Sequence, residues 1–140
     1  MYKTLLLAYD GSLEGRMALE EGLLIAKAFR AETHLLTVIK PKAVSIAGQY
    51  QENEDETEHF KAILQEGVKR LEDGDLKTIS HLEFGDPAEE IAKLVLQVHA
   101  DLVVLGHRHR GLLSQWWRIP TSMSLLDRVN CSILINMHSS

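Results

Sequence analysis

The chain has 140 residues, of which 45% are hydrophobic, and a formal net charge of −5 at pH 7. This length and apolar content suffice for one buried core, so we expect a single domain over residues 1–140. The net negative charge repels phosphate polymers, which argues against a general binder of nucleic acid or of anionic membranes.

The cysteine content and the hydropathy of the chain indicate its compartment. Cys131 is the only cysteine, so no intramolecular disulfide can form, as is typical of a reducing compartment. No run reaches the roughly 18 apolar residues that a membrane helix needs. The amino terminus lacks the charged and then apolar layout of a signal peptide. We therefore expect a cytoplasmic protein without an integral membrane segment.

The first part of the chain predicts a strand, a helix, a second strand and a long loop. The apolar segment Thr4–Ala8 is typical of a strand that is covered on both faces. Ser12 can cap the next helix. Residues 34–39 predict the second strand, and the polar residues 40–53 predict a loop of a length that is usually functional or disordered. In the helix, apolar residues recur at helical spacing as the pairs Met17/Ala18, Leu24/Ile25 and Ala28/Phe29.

The middle of the chain predicts a second helix, an edge strand and a third helix. Residues 77–83 alternate between polar and apolar side chains, as expected of a less protected strand at a sheet edge. Asp86 is the expected N-cap of the third helix, with Pro87 at its first position and Glu89 placed to close a capping box. The apolar face of the second helix consists of Phe60, Ile63, Leu64, Gly67, Val68 and Leu71. The third helix buries Ile91, Leu94, Val95 and Val98.

The last part of the chain predicts two more strands, at residues 101–105 and 132–137, with a short helix at about residues 122–129 between them. Five strands that alternate with helices predict an α/β class: an open, doubly wound parallel sheet with helices on both faces and the order 3-2-1-4-5. In that order the winding changes between strands 1 and 4, which places Asp10 beside Gly106. Ligands bind in the crevice at such a change.

Four segments of the chain carry a resemblance to a known family. Residues 3–12, 85–91, 100–106 and 131–135 resemble, in this order and at this spacing, the universal stress protein family in its small single-domain bacterial and archaeal type. The resemblance implies the same fold, an ATP site in one branch of the family and none in a second branch. It also implies a homodimer through the last strand, here residues 132–137.

The phosphate-binding loop of the nucleotide-binding branch is degenerate in this chain. The family pattern after the fourth strand is glycine, two residues, glycine, nine residues, and then glycine with a hydroxyl residue. Gly106 matches the first glycine, but His109 stands at the second. Thr121 and Ser122 match the closing pair only if the loop has two extra residues. A β-carbon at His109 penalises left-handed backbone conformations, which weakens the prediction of an ATP site.

A cluster of cationic side chains next to Gly106 could hold a phosphate in another way. The sequence continues as His107, Arg108, His109 and Arg110 before Gly111, and arginine can bind phosphate with two parallel hydrogen bonds. The alternative is a solvated loop whose charges only maintain solubility. We expect no metal at His107 and His109, because no cysteine or carboxylate lies nearby in the sequence.

The resemblance implies further nucleotide contacts at the first two strands. The aspartate that matches Asp10 meets the ribose or the phosphate-bound metal in nucleotide-binding relatives, and Val38 matches a position whose backbone meets the adenine. Alternatively, Asp10 only shapes its own turn. The implied ligand is ATP or another adenine nucleotide with Mg²⁺. The candidate ligand-binding residues are Tyr9, Asp10, Gly11, Ser12, Val38, Gly106, His107, Arg108, His109, Arg110, Gly111, Thr121, Ser122 and Ser124.

Two features leave the function open at this point. Trp116 and Trp117 either pack onto the domain or face a protein or membrane-surface partner. No Walker-type run, nucleophile elbow or paired histidine and carboxylate spacing is present, so we expect a regulatory stress-response module rather than an enzyme. A slow metal-assisted nucleotide hydrolase that uses Asp10, and a protein–protein module that binds no nucleotide, stay as alternatives.

Overall fold

The computed structural model describes residues 1–39, 54–108 and 125–138. In chain order the elements are β1 (Thr4–Ala8), α1 (Leu13–Phe29), β2 (Glu32–Ile39), α2 (Glu54–Asp73), β3 (Ile79–Phe84), α3 (Pro87–Val98), β4 (Leu102–Arg108), a 3-10 turn (Leu125–Asp127) and β5 (Ser132–His138). The loop predicted at residues 40–53 lies outside the described residues.

The five strands form one parallel sheet in the order β3-β2-β1-β4-β5. This confirms the predicted α/β class, the strand order and the edge position of the third strand. β1 lies at the centre, where its apolar run is covered on both faces. Leu5 and Leu7 pack with residues of α1 and α2, whereas Leu6 and Ala8 pack with residues of α3 on the other face.

Both predicted helix starts are confirmed by their caps. The Ser12 Oγ accepts a hydrogen bond of 3.0 Å from the Gly15 N–H at the start of α1. The Asp86 Oδ2 accepts one of 3.0 Å from the Glu89 N–H at the start of α3, where Pro87 occupies the first turn. Each bond satisfies a backbone donor that the helix itself leaves open.

The predicted apolar stripe of α1 is partly wrong. Leu24 is 69% exposed and Phe29 is 44% exposed, although both belong to the predicted stripe. Ala18 of the predicted stripe is buried as expected, but the rest of the buried face consists of Leu19 and of small residues such as Gly22 and Ala26. A β-carbon at Gly22 would lie 2.5 Å from the Leu7 Cδ2, so the helix approaches β1 too closely for larger side chains there.

Two boundaries near the end of the chain also differ from the prediction. The fourth strand does not end at Leu105 but runs on to Arg108, because β5 pairs with it as far as Arg108 and His138. The predicted helix at about residues 122–129 is wrong over its described part, where a 3-10 turn covers only Leu125–Asp127.

No helix of the described residues is both long and apolar enough to cross a bilayer.

The amino ends of β1 and β4 are joined through the carboxylate of Asp101. The Asp101 Oδ2 accepts hydrogen bonds from the backbone N–H groups of Lys3, at 2.8 Å, and Thr4, at 2.9 Å. These bonds hold the pKa of Asp101 below its ordinary value. These two bonds hold the register of the two central strands at their amino ends.

Two imidazoles link β2 to the edge strand on the α3 side of the sheet. The His34 Nδ1 and the His81 Nε2 are 2.9 Å apart, and the other nitrogen of His34 lies 3.3 Å from the Glu32 Oε2. His34 is only 5% exposed. Burial and then the charge of His34 lower the pKa of His81.

We predict that the lowered pKa of His81 makes the fold less stable in acid. A histidine with a lower pKa in the folded chain binds fewer protons there, so stability is complete above the unfolded pKa of about 6.5 and is lost as the pH falls below it. Urea denaturation at pH 7.5 and 5.5 measures this loss, which His81→Gln should reduce. His59→Gln, at an exposed position of α2, is the matched control. Equal pH dependence in wild type and His81→Gln would contradict the prediction.

Candidate functional site

The turn after β1 is built by short local hydrogen bonds. The Asp10 Oδ1 accepts a bond of 3.0 Å from the Ser12 N–H, and Gly11 has a φ of +83°, which favours glycine. The alternative role of Asp10, shaping its own turn, is therefore present in the structure. This role uses one carboxylate oxygen, and Oδ2 makes no hydrogen bond to the residues that the structure describes.

Gly106 brings the other half of the predicted site against this turn. A β-carbon at Gly106 would overlap the backbone carbonyl group of Glu14 and lie 2.6 Å from the Gly15 nitrogen. The first turn of α1 therefore lies directly on β4. The sequence prediction that the end of β1 and Gly106 share one crevice is consistent with this contact, but Gly106 has a packing role as a strand residue that the phosphate-loop pattern does not include.

Glu14 is a buried acidic residue beside Gly106 that the sequence analysis missed. It stands in the first turn of α1 and is only 4% exposed. An acidic side chain is favourable at the positive end of a helix dipole. The available signal was an acidic residue two positions after the N-cap Ser12, but nothing in the sequence indicated that it would be buried.

Tyr9 faces away from the crevice, into the core between α1 and α2. Its side chain is fully buried, and its hydroxyl donates a hydrogen bond of 3.0 Å to the Glu66 Oε1. The same oxygen lies 3.4 Å from the Arg16 Nε and 2.5 Å from the Arg70 Nε. One carboxylate of α2 thus joins the end of β1 to the first turns of α1.

Burial and the hydrogen bonds of this cluster shift the pKa values of Tyr9 and Glu66. Burial, more than any other cause, raises the pKa of Tyr9, so the phenol stays protonated and donates to Glu66. Partial burial of Glu66 acts to raise its pKa, but the hydrogen bonds from Arg70 and Tyr9 outweigh this and hold it below the ordinary value. The spacing of four residues between Glu66 and Arg70 could have predicted their ion pair. No sequence signal connects either residue to Tyr9.

The remaining predicted site residues fall into two groups. Val38 lies at the carboxyl end of β2, and its side chain is 1% exposed among residues that pack on α3. The backbones of His107 and Arg108 belong to β4. The other candidates, together with the two tryptophans, lie outside the described residues: His109, Arg110, Gly111, Trp116, Trp117, Thr121, Ser122 and Ser124. Within the described ranges, no cluster of three or more His, Cys, Asp or Glu could hold a metal ion.

We predict that Gly106→Ala destabilises the fold by about 1–3 kcal/mol, because the methyl group meets rigid backbone of α1. Gly74→Ala is the matched control. A β-carbon at Gly74 comes as close as 2.5 Å, but only to a terminal methyl of Leu23, whose side chain can rotate. Urea denaturation of both variants measures the difference. Equal losses of stability would show that the α1–β4 contact is not the tighter one.

We further predict an energetic coupling of about 1 kcal/mol between Tyr9 and Glu66, because the phenol loses its acceptor when the carboxylate is removed. Tyr9→Phe should destabilise the wild type but not the Glu66→Ala variant, measured by urea denaturation. Tyr2→Phe in the same two backgrounds is the control and should show no coupling. Equal effects of Tyr9→Phe in both backgrounds would contradict the hydrogen bond as the cause.

Comparisons with known proteins agree with this architecture. The structure of hypothetical protein MJ0577 superposes with a TM-score of 0.74 at 22% sequence identity and covers 100% of this chain and 99% of that one. A universal stress protein from Archaeoglobus fulgidus superposes with a TM-score of 0.73 at 17% identity over 96% of this chain and 98% of its own. At these identities the likeness concerns the fold.

Two further relatives are similar in sequence as well. A protein of Staphylococcus aureus (strain USA300) that is named as a universal stress protein is 28% identical over 138 residues, which are 96% of this chain and 83% of the relative. A universal stress protein solved in complex with cAMP is 26% identical over 99% of both chains, with a TM-score of 0.70. A sequence model described as the universal stress protein family matches residues 1–136. The chain therefore belongs to the universal stress protein family.

Proposed function

We propose that this chain is a regulatory stress-response module that binds an adenine nucleotide in the crevice between Asp10 and Gly106. The observation that carries the proposal is the contact of the first turn of α1 with β4, which holds the Asp10 turn and Gly106 at one end of the sheet. A relative of similar fold binds cAMP. The crevice lies at the carboxyl ends of parallel strands where the winding changes, which is the usual ligand site of such sheets.

In this proposal different residues of the crevice contact the ribose, the adenine and the phosphate of the nucleotide. The Oδ2 of Asp10, which the turn does not use, accepts a hydrogen bond from a ribose hydroxyl or helps to hold Mg²⁺. The backbone of Val38 meets the adenine at the end of β2. Arg108 and Arg110 bind phosphate in place of the family's glycine loop.

The loop after β4 favours a ligand with few phosphates. His109 stands where the family loop has its second glycine, and its β-carbon penalises the left-handed conformation of the family's phosphate loop. AMP or a cyclic mononucleotide is therefore the preferred ligand in this proposal.

We predict that Asp10→Asn lowers the affinity for the nucleotide about tenfold or more, measured by calorimetric titration with AMP, cAMP and ATP, with and without Mg²⁺. The single amide oxygen of asparagine keeps the turn to Ser12, so the acceptor for the ligand is lost while the fold is retained. Asp86→Asn, the same change at the N-cap of α3, is the matched control. The paired change Arg108→Ala/Arg110→Ala tests the phosphate contacts.

Three results would overturn this proposal. Absence of heat with every nucleotide would leave the module with protein partners alone. Equal affinity of wild type and Asp10→Asn would remove Asp10 from the site. Turnover of ATP by the wild type that Asp10→Ala abolishes would replace the module with the slow hydrolase.

We also propose that two copies pair through β5. This strand is an edge of the sheet, and Ile133, Leu134 and Ile135 along it are only partly buried. Pairing with a second copy would cover the exposed backbone groups. We predict that Ile135→Arg, which brings two like charges to the pairing, removes the association through β5, so that light scattering gives a lower mass for the variant than for the wild type, whose monomer has 15.8 kDa. A wild type that is monomeric at tens of micromolar would contradict this.

A further inference from the structure

The sheet has a second edge, at β3, on the side opposite β5. Among the described residues, β3 pairs with β2 alone. Large apolar side chains are exposed at both of its ends, with Ile79 at 48% and Phe84 at 39%. Its six residues contain no proline, and a strand edge of this kind is a template for pairing with another strand.

The hydrogen bonds of the sheet show which residues of β3 direct their backbone outward. The Gly85 N–H donates to the Ile39 carbonyl at 3.0 Å, so the odd-numbered residues of β3 bond to β2. In a parallel ladder the alternate residues point the other way. The N–H and C=O groups of Ser80, Leu82 and Phe84 therefore face away from β2.

We propose that β3 is a second self-association surface, on which two copies of this chain pair antiparallel about Leu82. In this register Leu82 lies opposite Leu82 of the second copy, and Ser80 lies opposite Phe84. Every outward backbone group of β3 then has a partner of the correct type. The two-fold axis is perpendicular to the sheet. Each side chain of β3 therefore lies on the same face of the sheet as the opposite side chain of the second copy.

The side chains between these pairs favour this register over its neighbours. His81 lies opposite Glu83 of the second copy, twice by symmetry, where a ring N–H of the histidine can donate a hydrogen bond to the carboxylate. A pairing centred on His81 would place the two His81 side chains opposite each other. A pairing centred on Glu83 would place the two Glu83 carboxylates opposite each other, which is unfavourable for like charges. One nitrogen of His81 is already bonded to His34, which fixes the ring and leaves the other for the carboxylate.

The fit of β3 to a copy of itself indicates that the partner on this edge is a second copy of the chain. The segment Ile79–Phe84 offers, to a copy of itself, an acid for each histidine and a donor and acceptor for each outward backbone group. The proposal is independent of the β5 contact, since the two strands are opposite edges of the sheet. A different extended peptide on the same edge is the competing outcome.

Cysteine cross-linking tests the register directly. In a Cys131→Ser background, Leu82→Cys places two cysteines opposite each other at a Cα separation of about 5.5 Å, which a disulfide can span. Ser80→Cys on the same strand is the matched control, because its two copies would lie about 15 Å apart. We expect a covalent dimer under mild oxidation from Leu82→Cys alone. No dimer from Leu82→Cys, or equal amounts from both variants, would overturn the proposal.

A charge swap tests the surface without cysteine. In an Ile135→Arg background, which removes the β5 contact, Glu83→Lys should weaken association at least tenfold by analytical ultracentrifugation. Adding His81→Glu should restore it, because Glu at position 81 and Lys at position 83 of the second copy then carry opposite charges. Glu20→Lys, the same change on an exposed position of α1, should have no effect.

The two outcomes of the swap decide the proposal. Association that follows the sign of the pair at positions 81 and 83 supports pairing between copies. If Ile135→Arg is already monomeric at 100 micromolar, or if the swap does not restore association, β3 does not bind a second copy and the edge is left for another peptide. Failure of the β5 dimer alone leaves this result unchanged.

Discussion

The close contact between α1 and β4 is the constraint on which the rest of the structure depends. The helix that follows β1 must cross to the neighbouring strand where the winding of the sheet changes, and it does so with its first turn against the backbone of Gly106. A side chain at that point would lift the amino end of the helix. Asp10 and Ser12 would then move with it, since their hydrogen bonds hold the turn and the cap to the same backbone.

Much of the fold was predictable because it depends on short, strong local patterns. The central strand was recognised by its continuous apolar run, which fits a position covered on both faces. The caps at Ser12 and Asp86 mark helix starts by side-chain chemistry that acts within four residues. The strand order followed from the alternation of elements and the hand of parallel crossovers.

The parts that were not predicted depend on contacts between distant residues. The extension of β4 to Arg108 needs the hydrogen bonds of β5, which a reading of residues 106–108 alone cannot include. Gly22 of α1 has to be small because Leu7 lies so close, and apolar periodicity therefore placed Leu24 and Phe29 on the buried face although both are exposed. Topology could place the Asp10 turn and Gly106 at the same end of the sheet, whereas the contacts of Glu14 and Glu66 depend on burial and on a link between α2 and β1.

The bonds of Asp101 to Lys3 and Thr4 have a mechanical consequence for the crevice at the other end of the same strands. At their amino ends β1 and β4 are joined by the Asp101 carboxylate. Near their carboxyl ends the first turn of α1 packs against Gly106 so closely that no β-carbon fits there. Sliding or separation of these two strands would have to break contacts at both of their ends. The centre of the sheet is therefore its most rigid part, and motion of the domain is easier at the outer strands β3 and β5.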